Sequence, residues 1–391
     1  MEKNSRALIK SILLHNPSDR TPWTFDFGSC KGLQPFLLEK YKRARGFECS
    51  LARYFDYDIW IAMDPDRIHN DSYEHIDNVI RKKIPLSVLH GGIPLSKNEE
   101  YDYSQHYQVK PDGGFFDSFG LYYFAWPDNP DYFRFFSPLE HETNYENIVE
   151  YPVPLLKPLY IDYFRRDVEY IKSHEKMCAA YSGSLYEWSY YIRGRERIYY
   201  DYYDDPSIVE LIIEKIAAFV QELAQKNLDC GVDILCFYDD LGDQRGLQIN
   251  PQTFRKFYKP FYKKIWNKIK SSAKDAYIFL HACGNISELI PDFIECGLDV
   301  LHPLQPETMD IYRLGKEYSK DLVFWGTMSN QYTLTRGKRE DIFSEVRERV
   351  EKIGSTGRLI LSPSNTLGSK VPLKNIDCFY EACERYCGNQ T

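Results

Sequence analysis

Apolar residues in this chain gather in short runs separated by longer amphipathic stretches, and the two kinds alternate over most of its length. Runs at residues 23–27, 57–63, 177–181, 233–238, 276–280, 299–302, 322–325 and 358–361 are bounded by turn-forming residues and are too short for helices. They read as eight buried strands. The stretches between them carry apolar residues three and four apart. The clearest opens at Asp205-Pro206 and puts Ile208, Leu211, Ile212, Ile216, Phe219 and Leu223 on one face of a helix. Further helices are expected at residues 34–44, 161–173, 311–318 and 341–353, with a short one ending at Gly297 and a last one from Asn375. Another starts at Asn250-Pro251, with a kink at Pro260. Residues 84–126 break the rhythm: glycines, prolines and aromatics in short runs predict antiparallel hairpins, an insertion after the second strand that acts as a lid or wall.

Eight strands separated by helices fit an α/β chain folded as a (β/α)8 TIM barrel, a single domain over residues 1–391. No Gly-rich nucleotide-binding loop follows any strand, which argues against dinucleotides and nucleoside triphosphates. Composition narrows the partners further. A net charge of -8 without a basic run argues against nucleic acid, and residues 208–223 carry too many charges to cross a membrane. The ten cysteines are scattered, and the amino terminus lacks the apolar core of a signal peptide, so a reducing cytoplasm is expected. Aromatic residues make up 16% of the chain, with 32 tyrosines, enough to fill the core, line a pocket for a flat substrate, or cover a homodimer face.

Barrel active sites sit at the carboxyl ends of the strands. The polar residues expected there include Asp64, Ser182, Ser184, Asp239, Asp240, His281, Cys283, His302, Gln305, Thr327, Ser364 and Asn365. Many of these types also favour turns. The pair His281 and Cys283 stands out. Two residues apart at the end of a strand, they leave it on the same side, a two-toothed claw for a borderline metal such as zinc.

Residues 281–305, His-Ala-Cys-Gly-Asn-Ile-Ser-Glu-Leu-Ile-Pro-Asp-Phe-Ile-Glu-Cys-Gly-Leu-Asp-Val-Leu-His-Pro-Leu-Gln, resemble the corresponding run of the uroporphyrinogen decarboxylase superfamily, in its branch with corrinoid-dependent methyltransferases. Tyr238-Asp-Asp-Leu-Gly242, Phe324-Trp-Gly326, Ser362-Pro-Ser364 and Val371-Pro-Leu-Lys-Asn375 are similar to further landmarks in the same order. The resemblance implies a distorted (β/α)8 barrel. The decarboxylase itself carries an Arg-Gln-Ala-Gly-Arg run after its first strand, where this chain reads Asp26-Phe-Gly-Ser-Cys30 and so lacks the arginines that hold substrate carboxylates. Asp64 stands near the place of that enzyme's pyrrole-binding aspartate, and Tyr191 resembles its active-site tyrosine. Asp64 equally suits a turn before Pro65, and Tyr191 an aromatic core.

In the methyltransferase branch, zinc is held by His-x-Cys and a distant third ligand, usually Cys after the last strand, and it binds a substrate heteroatom that exchanges methyl with a corrinoid carried by a partner protein. His281 and Cys283 match, but Asn365 stands near the third position and is a poor zinc ligand. Barrel order offers Asp239, Asp240 and His302, on strands flanking the fifth, as replacements. Three functions follow: a zinc-assisted methyltransferase working with a corrinoid protein on a small-molecule methyl donor or acceptor; a decarboxylase-type lyase using Asp64 and Tyr191 without metal; or a binding barrel. The first is favoured. It assigns the metal to His281 and Cys283, completed by His302 or by Asp240, which also counts with Asp64 and Tyr191 as a catalytic candidate. Trp188, Asp239, Gln305 and Asn365 are expected to shape the substrate pocket.

Overall fold

The computed structural model describes residues 5–16, 18, 20–24, 59–61, 108–109, 115–116, 119–126, 129–152, 158–173, 175–365, 367 and 371–388. Asp64, the helix expected at 34–44 and residues 84–107 of the expected insertion lie outside the described residues. Among the described ones, β1 (Ile59–Ile61) opens a parallel sheet. An antiparallel group follows: β2 (Gln108–Val109), β3 (Phe115–Phe116), β4 (Tyr122–Trp126) and β5 (Asn129–Phe136). The parallel strands then resume as β6 (Met177–Gly183), β7 (Ile234–Tyr238), β8 (Tyr277–His281), β9 (Val300–His302), β10 (Val323–Met328) and β11 (Leu359–Pro363). The parallel sheet runs β1-β6-β7-β8-β9-β10-β11, and Trp23 bridges in parallel to Leu361, putting the chain's first strand position beside β11. This is the order of a (β/α)8 barrel, with the hairpin insertion between its second and third strands. The antiparallel sheet runs on past the expected end of the insertion to Phe136.

Strand side chains alternate between two cores. Met177, Ala179, Ile234, Cys236, Tyr277, Phe279, Val300, Val323, Trp325 and Ile360 share the barrel interior with Ile9, Ile12 and Leu13 of the helix Ser5–Leu13. Their neighbours, among them Cys178, Ala180, Leu235, Phe237, Ile278 and Leu280, face the surrounding helices. Period-two alternation in strands buried on both faces explains why these runs are continuously apolar. Each fully buried large side chain contributes roughly 1.5–3 kcal/mol. The amino-terminal helix plugs the end opposite the expected active site and is pinned there by the Arg6 guanidinium on Asp233.

The helices largely follow the sequence pattern, with two differences. The stretch after Asn250 is two helices, Pro251–Phe257 and Lys259–Ser272, because Pro260 has no N–H to continue the first. Between β6 and β7 three helices appear in place of one: Tyr186–Arg193, Arg195–Asp204 and Pro206–Asp229. The first pair is polar and aromatic, and its joint at Gly194 has φ +86°, so periodicity alone does not reveal it. None of the helices among the described residues is long and apolar enough to cross a membrane.

Candidate metal centre

The inward-facing residues of β8 are Tyr277, Phe279 and then His281, so alternation lifts the histidine to the carboxyl-end rim of the barrel. Its register partners are Tyr238 on β7 and His302 on β9. The His281 ring lies between theirs, with centroids 5.3 Å and 4.8 Å away. The Nε2 edge of His281 faces Cys283 Sγ at 3.3 Å and Asp240 Oδ1 at 3.4 Å. Ligand atoms of Asp240, His281 and Cys283 all lie within 4.8 Å of one another, the only such set of three or more His, Cys or acidic groups among the described residues.

The loops holding these atoms are braced by main-chain bonds. Cys283 N donates to Asp240 Oδ1 at 2.8 Å, Gly284 N to Gln305 Oε1 at 2.9 Å and Asn285 N to Asp243 O at 3.0 Å. Gly284 has φ +81°, and a Cβ there would sit 2.3 Å from Asp243 N and Gly242 C. Only glycine lets the two loops approach this closely. Gly284→Ala is therefore expected to destabilise the protein by about 1–3 kcal/mol and to weaken metal binding, read by thermal melts and zinc titration. A melt and affinity equal to the parent would contradict this.

The donor set suits a divalent cation. Burial and the nearby Asp240 carboxylate push the Cys283 thiol well up, so without metal it keeps its proton. Burial also works against ionisation of Asp240, but hydrogen bonds from His281 and the Cys283 main chain outweigh it and hold that carboxyl below its usual range. Two potential anions and a neutral imidazole at this separation repel or stay protonated when empty, and a cation turns them into ligands. Asn365 Nδ2 donates to Cys283 Sγ at 3.1 Å. The amide near the expected third-ligand position thus meets the sulfur.

His302, expected as a ligand, is fully buried behind His281, with Nδ1 bonded to His281 Nδ1 at 2.7 Å; it turns away from the donor cluster and Asp240 takes that place. Asp239 is also fully buried, its carboxylate accepting from Ser184 Oγ (2.5 Å), Leu185 N (2.9 Å), Glu187 N (2.8 Å) and the Tyr262 hydroxyl. It anchors the start of the helix Tyr186–Arg193 and has no surface left for substrate. Trp188 packs into an aromatic core with Phe119 at 4.6 Å and Phe219 at 5.6 Å, so it does not line a pocket. Gln305 holds the turn after Cys283.

Tyr191 leads to a residue that the strand-end survey passes over. Its hydroxyl and that of Tyr190 both donate to Glu187 Oε1, at 3.0 and 3.1 Å. Burial, then the charges of Asp240 and Asp239, push the Glu187 carboxyl up to about 8 against those two hydrogen bonds. Phe135 of β5 sets its ring edge on Tyr191 at 5.1 Å, bringing the antiparallel sheet to this side of the barrel as a wall. Glu187 lies on a helix that the apolar pattern does not announce, which is why strand ends alone miss it.

Among known proteins, the family model described as uroporphyrinogen decarboxylase (URO-D) matches residues 158–386, which include β6 to β11 and all three donor residues. A methyltransferase from Methanosarcina mazei has a similar structure, with a TM-score of 0.65 at 13% identity over 98% of this chain and 99% of that one. A GH5-4 broad specificity endoglucanase from Clostrdium longisporum matches at a TM-score of 0.38 and 10% identity over 59% of this chain and 78% of its own. No curated protein matches by sequence. The first likeness supports the barrel at nearly full length, and the family match spans more than half of the sequence. By that match the chain belongs to the uroporphyrinogen decarboxylase (URO-D) family.

Proposed function

We propose that this chain is a methyltransferase in which Asp240, His281 and Cys283 hold a zinc ion that takes the heteroatom of a small-molecule methyl donor or acceptor, the methyl group being exchanged with a corrinoid carried by a partner protein. The observation that carries this reading is the cluster of three donor atoms within 4.8 Å at the carboxyl ends of adjacent strands. When bound, the metal supplies Lewis acidity to the substrate heteroatom. The remaining work belongs to the chain. Asp240 and Cys283 balance the cation's charge, and Asn365 steadies the sulfur through its N–H. Glu187, with one oxygen fixed by Tyr190 and Tyr191, holds a proton near neutrality that can be exchanged with the heteroatom.

Incubation of the zinc-loaded protein with reduced or methylated cobalamin and a panel of O-, N- and S-methyl compounds tests the proposal. Zinc-dependent methyl transfer, lost in Cys283→Ala, is expected. Carbon dioxide release from uroporphyrinogen by the metal-free protein, with no methyl transfer, would overturn it.

Glu187 also gives a pH signature in the metal-free protein. Unfolded, the carboxyl releases its proton near its ordinary 4.5; folded, it holds it up to about 8. Between those values the folded state binds more protons, so stability falls as pH rises. Urea unfolding of Glu187→Gln is expected to lose part of that decline. An unchanged pH slope in the variant would refute the assignment.

A further inference from the structure

Two tyrosines line up with the donor cluster. Period two carries Tyr181 to the rim of β6 after Met177 and Ala179, and Tyr238 to the rim of β7 after Ile234 and Cys236. Both are half-buried. Their ring centroids lie 5.0 Å apart, and that of Tyr238 lies 5.3 Å from the His281 ring at an interplanar angle of 31°. The three rings thus form a row that begins at the imidazole of the cluster. Glu187 stands at its far end. Burial, then the charges of Glu187 and Asp239, push the Tyr181 hydroxyl well up, so that ring stays uncharged beside the carboxyl. Tyr191 fixes the same carboxyl through Oε1 at 3.0 Å. Trp188 supports the row in a T-shaped contact with Tyr181 at 5.9 Å.

We propose that the substrate of this centre carries its heteroatom directly on a flat, uncharged aromatic ring, and that Tyr181 and Tyr238 are the specificity-determining residues that take the ring. The inference rests on the metal reading given above and narrows its small molecule to a chemical class. A molecule that extends from the donors toward Glu187 passes over the two tyrosines. An aliphatic chain gains only buried area from such a surface, whereas a flat ring adds an offset-stacked or edge-to-face contact. The row is also close to the donors. With Tyr238 and His281 only 5.3 Å apart, a ring over Tyr238 brings an atom bonded to it to the cluster without a spacer chain. Charge on the ring is disfavoured. Beyond its burial, Glu187 already feels the carboxylates of Asp240 and Asp239, so an anionic substituent lying there would meet like charge.

Anisole and methoxycyclohexane test this on the full chain, with neither metal nor corrinoid added. The two ethers are alike in size and charge and differ in the flat ring. Saturation-transfer NMR with competition gives their affinities for the wild type, Tyr181→Leu and Tyr181→Phe. The wild type should bind anisole about 3–10-fold more tightly than methoxycyclohexane. Leucine keeps an apolar side chain without a ring face and should remove most of that preference. Phenylalanine keeps the face and should retain it. If melting curves show that the leucine variant does not fold, Tyr238→Leu takes its place and is read in the same way. No binding of anisole, equal affinities for the two ethers, or a preference that survives in a folded leucine variant would overturn the proposal. Zinc uptake keeps the two readings apart. A wild type that takes up zinc but shows no ring preference loses only this inference, whereas one that takes up no zinc loses the metal reading whatever the ethers do.

Discussion

Purified without added metal and dialysed against a weak chelator, the protein is expected to carry about one zinc per chain, and the His281→Ala/Cys283→Ala variant essentially none. The double change leaves Asp240, a half-buried carboxylate, as the one protein ligand of the cluster. A single carboxylate is a weak partner for a borderline cation, so stripping the imidazole and the thiolate removes most of the binding free energy. Binding should also release a proton. The Cys283 thiol is held protonated by burial and by Asp240, and it must lose that proton to become a ligand. Calorimetry in buffers of different ionisation enthalpy should therefore record about one proton released per zinc near neutrality. Elemental analysis that finds no zinc in the wild type, or an equal amount in the variant, refutes the centre.

The claw itself was legible in the sequence because it depends only on period two: a strand ending at His281 must put Cys283 on the same side. The third donor was harder for the same reason. Asp239 and Asp240 are consecutive, so they leave the end of β7 in different directions, and only one can face the centre. Sequence leaves that choice open. The structure resolves it because the loop at Ser184 and Leu185, with the helix behind it, offers donors to Asp239. His302 illustrates a finer limit. Strand order correctly placed it beside His281, but not which side of the His281 ring it would meet, and that separates a ligand from a residue behind one. The barrel was readable because its strands are continuously apolar and its helices are punctuated by Asp-Pro, Asn-Pro and glycine signals. The helix Tyr186–Arg193 carries no such signal, and Glu187 was missed with it. Trp188 was misjudged because an aromatic side chain in that helix has a core to enter, beside Phe119 and Phe219, which local sequence does not reveal.

Asp239→Ala is expected to destabilise the protein by about 3–5 kcal/mol, the largest stability effect of any single change considered. The carboxylate is fully buried and satisfies four donors, two of them main-chain N–H groups that have no water to turn to. Burial lifts its pKa to about 6 despite those bonds, so at neutral pH it is the ionised, acceptor-only form that meets all four. Alanine strands them together. Asparagine keeps one acceptor oxygen but turns an NH2 group toward donors, and should fall between alanine and the parent. The damage should reach the metal site, because the Asp239 N–H bonds the His281 carbonyl and its own carbonyl receives Leu241 N–H, which ties the Asp240 segment to β8. Denaturant melts and zinc titrations on both variants separate this anchoring role from the substrate contact that the sequence suggested. An anchor loses stability and zinc affinity together, in the order alanine, asparagine, parent. A substrate contact would raise KM while leaving melts and zinc binding at parental values, and that result would put Asp239 back in the pocket.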